Sequence, residues 1–184
     1  MLKKRNLSEC GVLFQLMQHP EVFPFVRHKA QTLEEYQLIV QEMIRKEANN
    51  EIISRTVIDE HRQPIGTITL YDIVDNKGFL GTWIGRPYFG KGYNQSAKEA
   101  FFSELFLEKA IQTIYLKIRK YNVRSQKAAE KIPYAQVVEH PVLQFADHDP
   151  NLFHLYEITR ERYILHKQYI QSFSLNIDTL KEEA

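Results

Sequence analysis

The chain has 184 residues, 43% of them apolar, enough to bury one sizeable core and few for two domains of ordinary size, so it reads as a single domain over residues 1–184. Its 24 lysines and arginines nearly balance 23 aspartates and glutamates, and a formal charge of +1 supplies no general attraction to nucleic acid or to an anionic membrane. Cys10 is the only cysteine, which excludes an intrachain disulfide and a cysteine-rich metal site and fits a reducing, cytoplasmic setting.

The opening MLKKRNLSECGVLFQLMQHP has too short and too interrupted an apolar stretch for a secretory signal or a spanning helix. Within it, Leu7, Val12, Leu13, Leu16 and Met17 predict a short helix behind Ser8 as cap, stopped by His19-Pro20. Thr32 and Glu35 fit a capping box for a second helix, in which Leu33, Tyr36, Ile39, Val40, Met43 and Ile44 recur at helical spacing up to Asn49-Asn50. The segments ISRTVID and IGTITLYDIV then alternate apolar and polar residues around a turn at Glu60 to Pro64, a hairpin. Asp75 to Gly78 makes another turn into a third strand, Phe79 to Ile84, of the same antiparallel sheet. Beyond a glycine-containing loop, Asn94 to Ala110 reads as a helix, Thr113 to Ile118 as a strand and Ser125 to Lys131 as a short helix ended by Pro133. Gln136 to Val138 and Leu152 to Thr159 look like closing strands, and residues 161–184 are either a helix packed back or a tail. The order predicts an α/β (α+β) domain with a mixed, mostly antiparallel central sheet flanked by helices.

Chemistry is concentrated in GTWIGRPYFGKGYNQSAKEAFF, residues 81 to 102, where strand, glycine-spaced turn and helix start follow one another with almost no linker. Glycine permits positive φ and lets a ligand approach without meeting Cβ, while the free N–H groups of a helix start point at an anion. Residues Phe89, Gly90, Lys91, Gly92, Tyr93, Asn94 and Gln95 are the expected diphosphate cradle. The tripeptide GKG alone also suits an ordinary tight turn. The loop lacks the GxxxxGK[ST] pattern of a nucleoside triphosphate site, and Gln95 occupies the place of the third glycine of a GxGxxG dinucleotide loop.

The stretch GTWIGRPYFGKGYNQSA resembles the GNAT acetyltransferases, in particular the branch related to ribosomal-protein N-terminal acetyltransferases, whose members read roughly GxWIGxPxxxGKGYxxEA. A second ordered match lies in IRKYNVRSQKAAEKIPY, similar to RxxNxxSxxxxEKxGF, with Asn122 and Ser125 on the expected positions. The two matches span residues 79–134. Pro87 departs from the Gln or Arg of the broad superfamily motif, and Pro133-Tyr134 replace the usual Gly-Phe. Phe79 falls near a position that is acidic in many relatives, and Ala129 stands where others carry a tyrosine that protonates the departing thiolate.

The resemblance implies a GNAT fold and an acetyl-CoA-dependent N-acetyltransferase, in which a primary amine attacks the thioester directly and no covalent enzyme intermediate forms. It implies that backbone groups of Trp83, Ile84 and Gly85 are free for the pantetheine arm and carbonyl oxygen, and that Asn122 and Ser125 contact the cofactor. Ser125 is the candidate proton donor to sulfur, with a helix cap as its structural alternative. Asp72 is the candidate base, with Glu51 a second choice. Trp83 and Tyr88 are candidates for the acceptor pocket, built from Pro20 to Ala30 and the loop His140 to Leu152. The acceptor is a peptide or protein N-terminus or a small amine. No membrane partner is expected, and a homodimer through the C-terminal segment is compatible with the pattern but not required by it.

The competing readings are an acyl-CoA-binding GNAT-fold domain without transfer activity and a nucleic-acid module. The latter would use Lys117, Arg119, Lys120, Arg124 and Lys127 with Tyr115 and Tyr121 for stacking, but the balanced charge disfavours it, and no nucleic-acid partner is expected. The seven histidines form neither HxxxH nor a pattern with cysteine, so no metal is expected.

Overall fold

The computed structural model describes residues 1–138, 149 and 151–182, with side chains as far as residue 173. It divides into two compact units, Met1–Ala110 and Ile111–Ala184.

In the first unit, β1 (Leu2–Lys4) leads through a 3-10 turn into α1 (Cys10–Met17), and α2 (Leu33–Ala48) precedes three longer strands, β2 (Ile53–Ile58), β3 (Pro64–Val74) and β4 (Lys77–Ile84). These pair in the order β1-β2-β3-β4, every ladder antiparallel. The β3–β4 turn carries Asp75 and Asn76 at φ +49° and +59°, the two positive values a type I′ hairpin demands. The entry to α1 differs from expectation. Asn6, not Ser8, supplies the capping side chain, and it caps the 3-10 turn Leu7–Glu9 that runs into α1, its side-chain oxygen accepting the Ser8 N–H at 2.9 Å. Thr32 caps α2 by accepting the Glu35 N–H, while the Glu35 carboxylate reaches one residue further back than a capping box does, to the N–H of Gln31.

Register sorts the sheet into two faces. Thr56, Thr67 and Trp83 are cross-strand partners on one, and Arg55, Ile68 and Thr82 on the other. Trp83 packs with Leu13, Met17, Tyr36 and Val40, so α1 and α2 cover the first face. Arg55 ion-pairs with Glu104 and Glu47, and Glu104 opens the π-helical turn Glu104–Glu108 that continues α3 (Tyr93–Ser103), so α3 covers the second. The expected helix from Asn94 to Ala110 therefore ends as an α-helix at Ser103. Fully buried Phe101, Phe102, Leu105 and Phe106 fill this layer, each ring or branched chain contributing about 1.5–3 kcal/mol of burial.

The second unit contains β5 (Thr113–Arg119), α4 (Val123–Glu130), β6 (Ala135–Val137), β7 (Phe153–Thr159) and α5 (Arg160–Glu182). Its strands pair β5-β7-β6, again antiparallel. Residues 161–182, expected as helix or tail, are helical. Tyr163 is fully buried on α5 and meets Tyr134 edge-on at 5.2 Å. No helix among the described residues is long and apolar enough to cross a membrane.

Candidate functional site

Strand β4 delivers the chain into the glycine loop. Trp83 and Ile84 are held in register with Thr67 and Gly66. Gly85 departs from the expectation of free backbone groups: its N–H donates to Ile65 O at 2.7 Å, and its carbonyl accepts the Tyr88 N–H at 3.0 Å. Any Cβ at Gly85 would come within 2.8 Å of Leu16, so this glycine serves packing against α1. Phe89 is half-buried against the α1–α2 core, with its N–H donated to Arg86 O.

Beyond Phe89 the loop turns outward. Gly90 and Gly92 have φ of +73° and +85°, and open space lies where their Cβ atoms would stand. Gly92 is the residue before α3 and brings no side-chain cap, so the first-turn donors are left to other partners. Among the described residues, the N–H groups of Gly90, Lys91, Gly92, Tyr93, Asn94 and Gln95 make no internal hydrogen bond, and the first helical bond runs from Ser96 N to Gly92 O. Six consecutive donors at the positive end of a helix dipole fit a diphosphate group. Tyr93 anchors the loop to the β2–β3 hairpin by donating its hydroxyl to Glu60, and that bond pushes the phenol pKa up to about 12. Lys91 is exposed, its ammonium 5.6 Å from the Tyr88 ring centre.

A second feature of the same unit is a narrow cleft of about 60 Å³ on the α1–α2 side of the sheet. Tyr71, Gly81 and Trp83 form its sheet wall, Tyr36, Ile39 and Met43 of α2 an apolar wall, and Phe25 to His28 its mouth. Arg5 also lines it, 7% exposed, with one guanidinium nitrogen 3.3 Å from the Tyr36 hydroxyl and its Nε without a hydrogen-bond partner. Arg27 stacks over Tyr71 at 4.3 Å and donates to Asp72 at 2.7 Å. Asp72, the candidate base, therefore sits on exposed backbone at φ +53°, its carboxylate engaged by Arg27. Glu51 is exposed and close to Asn49 and Arg45. His28 falls within the segment Pro20 to Ala30 expected to build the acceptor pocket. Its ring lies 5.5 Å from that of Tyr71, and partial burial, then the charges of Arg27 and Lys46, pull its pKa below the ordinary 6.5. It is a neutral imidazole at pH 7 at the mouth of a cleft.

In the second unit, Asn122 caps α4, its side-chain oxygen accepting the Ser125 N–H at 3.2 Å. The cap is thus Asn122 and not Ser125, whose hydroxyl makes no hydrogen bond among the described residues. Ala129 is fully buried. Tyr115 is buried too, so it offers no face for base stacking. Of the expected pocket loop, residues 139–148 and 150 lie outside the described residues, His140 and His148 with them. Among the described residues no cluster of side chains could hold a metal ion.

The family model for the acetyltransferase (GNAT) domain matches residues 2–134. The chain belongs to the GNAT acetyltransferase family. It is accordingly an acyltransferase. Comparison with curated proteins gives no match. Among solved structures, a protein assigned as a ribosomal-protein-serine acetyltransferase from Vibrio cholerae shares 19% identity over 86% of this chain and 92% of its own, with a TM-score of 0.72. A variant of spermidine N-acetyltransferase from the same organism shares 14% over 91% and 99%, also at 0.72. A nucleotide-linked-sugar GNAT shares 17% over 92% of each chain at 0.74. At these identities the likeness is one of fold, the GNAT α/β fold expected from the sequence.

The glycine turn was legible because positive φ has a compositional signature; the cleft was not, because Arg5, His28, Tyr36 and Trp83 are brought together only by folding.

Proposed function

We propose that this GNAT protein transfers an acetyl group from acetyl-CoA to a primary amine by direct attack of the amine on the thioester. The observation that carries the reading is the run of six unpaired N–H donors from Gly90 to Gln95 at the start of α3, with two left-handed glycines that keep Cβ atoms out of the way. Acetyl-CoA supplies the activated acyl group, and the loop would hold its diphosphate.

The chain's own residues cover the remaining needs. The cleft beside Trp83 seats the acceptor and excludes water with Tyr36, Tyr71 and Met43. His28, neutral at pH 7, takes the proton that the amine loses on attack. Asp72 holds Arg27 in place at the rim and is the second choice as base. Ser125, with its hydroxyl unspent, is the group that the family pattern offers as proton donor to sulfur. A cytoplasmic setting suits the buried Cys10, whose thiol pKa is raised by burial.

The test is release of free thiol from acetyl-CoA in the presence of a broad panel of amines, with mass spectrometry locating the acetyl group. Amine-dependent release, acetyl on nitrogen and no mass change on the protein are the expected results. Saturable acetyl-CoA binding without thiol release from any amine would favour instead the non-transferring acyl-CoA-binding domain, a reading that Phe79 and Ala129 keep open.

A further inference from the structure

The cleft carries an electrostatic imbalance. Two of its lining residues, Arg5 and Arg27, are cationic, and no carboxylate lines it. Arg27 is balanced at the rim by Asp72. Arg5 is not balanced: it is 7% exposed, and among the described residues it forms no ion pair. The nearby Glu9 is itself engaged by Lys3 and by the Thr56 hydroxyl at 2.5 Å. Among the described residues the only hydrogen-bond partner of the Arg5 guanidinium is the Tyr36 hydroxyl, and burial raises the pKa of that phenol, so it is not an anion. An arginine cannot shed its proton at any pH at which the protein folds, so burial without a counter-charge has to be tolerated as a cost. Its Nε is buried and has no hydrogen-bond partner among the described residues. A buried, permanently charged, partly unpartnered fork on the wall of a cleft is a receptor for a planar anion.

We propose that the acceptor carries a carboxylate received by Arg5, so that the substrates are small amino-acid-like amines and not polyamines. The inference rests on the acetyltransferase reading for the chemistry but not for the binding. A carboxylate in the cleft would supply Arg5 with the counter-charge it lacks, while Tyr36, Ile39, Met43 and Trp83 surround the carbon skeleton with apolar surface. His28 and Arg27 stand at the mouth, and neither attracts a second ammonium. Polyamine recognition needs carboxylates along the groove, and the cleft presents none. The carboxylate has two sources: the α-carboxylate of a free amino acid, or an acidic side chain at a peptide's N-terminus.

The experiment is titration calorimetry of the full chain with matched probes: apolar L-α-amino acids, their carboxamides, short peptides beginning with Asp or Ser, and spermidine. Binding of at least one carboxylate, about tenfold or more tighter than its carboxamide, is expected, since a hydrogen bond to a charged group is worth about that ratio. Arg5→Met should bring the ratio to about one, and Arg5→Lys should retain part of it, because the charge persists without the planar fork. If Arg5→Met does not fold, the Arg5→Lys ratio decides alone, and a ratio equal to wild type overturns the assignment to Arg5. Preference for Asp-initiated peptides over free amino acids would assign the anion to a side chain. Equal binding of carboxylates and carboxamides, tightest binding of spermidine, or no binding of any carboxylate overturns the proposal. Acetyl-CoA titrated in parallel should be unaffected by Arg5→Met, and its failure to bind wild type would sink the transferase reading while leaving the carboxylate result standing.

Discussion

His28 and Ser125 are the two groups proposed to handle protons, and each is tested by itself. For His28 the folded pKa lies below 6.5, so the imidazole is neutral and basic above that value and is lost as a base when pH falls through its lowered pKa. The rate should therefore show a limb below pH 6.5, separate from the higher limb set by the acceptor amine itself. In His28→Gln, kcat should fall about 10²-fold, the usual worth of a positioned base, and the lower limb should disappear. A pH profile for His28→Gln that overlays wild type would remove His28 from the mechanism. Ser125→Ala leaves the cap intact, because Asn122 accepts the backbone N–H and not the hydroxyl. It should lower kcat at unchanged melting temperature, whereas equal kcat would return Ser125 to a structural role.

At the scale of elements, α3 combines two opposing demands. Its N-terminus presents free donors, and its inward face buries Ala97, Lys98, Phe101 and Phe102. Lys98 is 7% exposed, and burial alone lowers its pKa from 10.5 to about 8. The unfolded chain holds that proton more tightly than the native one, so stability rises with pH between about 8 and 10.5 and is lower by ~3 kcal/mol below 8. Lys98→Met should accordingly stabilise the protein at pH 7 in denaturant titration, with a gain that fades as pH approaches 10. A destabilised variant at pH 7 would mean that the ammonium has a favourable partner. The elements also divide by how readable they are. The β3–β4 turn and the cap of α2 rest on local residue types, Asp75-Asn76 and Thr32, and the sequence shows them, whereas at α4 both Asn122 and Ser125 suit a cap and only the fold selects Asn122. Strand β1 leaves no mark in the sequence, because three residues, Leu2–Lys4, carry too little alternation to register. The end of α3 was misplaced because Leu105 and Phe106 stay buried through the π-helical turn and keep the apolar pattern running.

For the whole molecule, the near-neutral charge of +1 hides local order, since the charge that decides a site is the one left unbalanced inside it, as at Arg5. The fold and the glycine turn at Gly90 and Gly92 were legible because their signals are short and ordered along the chain. The cleft joins Arg5 to Tyr36 and Arg27 to Asp72 across 31 and 45 residues, and no periodicity reports such pairs. Titration of acetyl-CoA into wild type and into Gly92→Val tests the central claim most directly, because Gly92 has φ +85° and no neighbour that a side chain would strike. One-to-one binding to wild type, weakened at least tenfold in a variant with an unchanged far-ultraviolet spectrum, is the predicted result. Equal affinity in the two proteins, or no binding to wild type at millimolar acetyl-CoA, would contradict it.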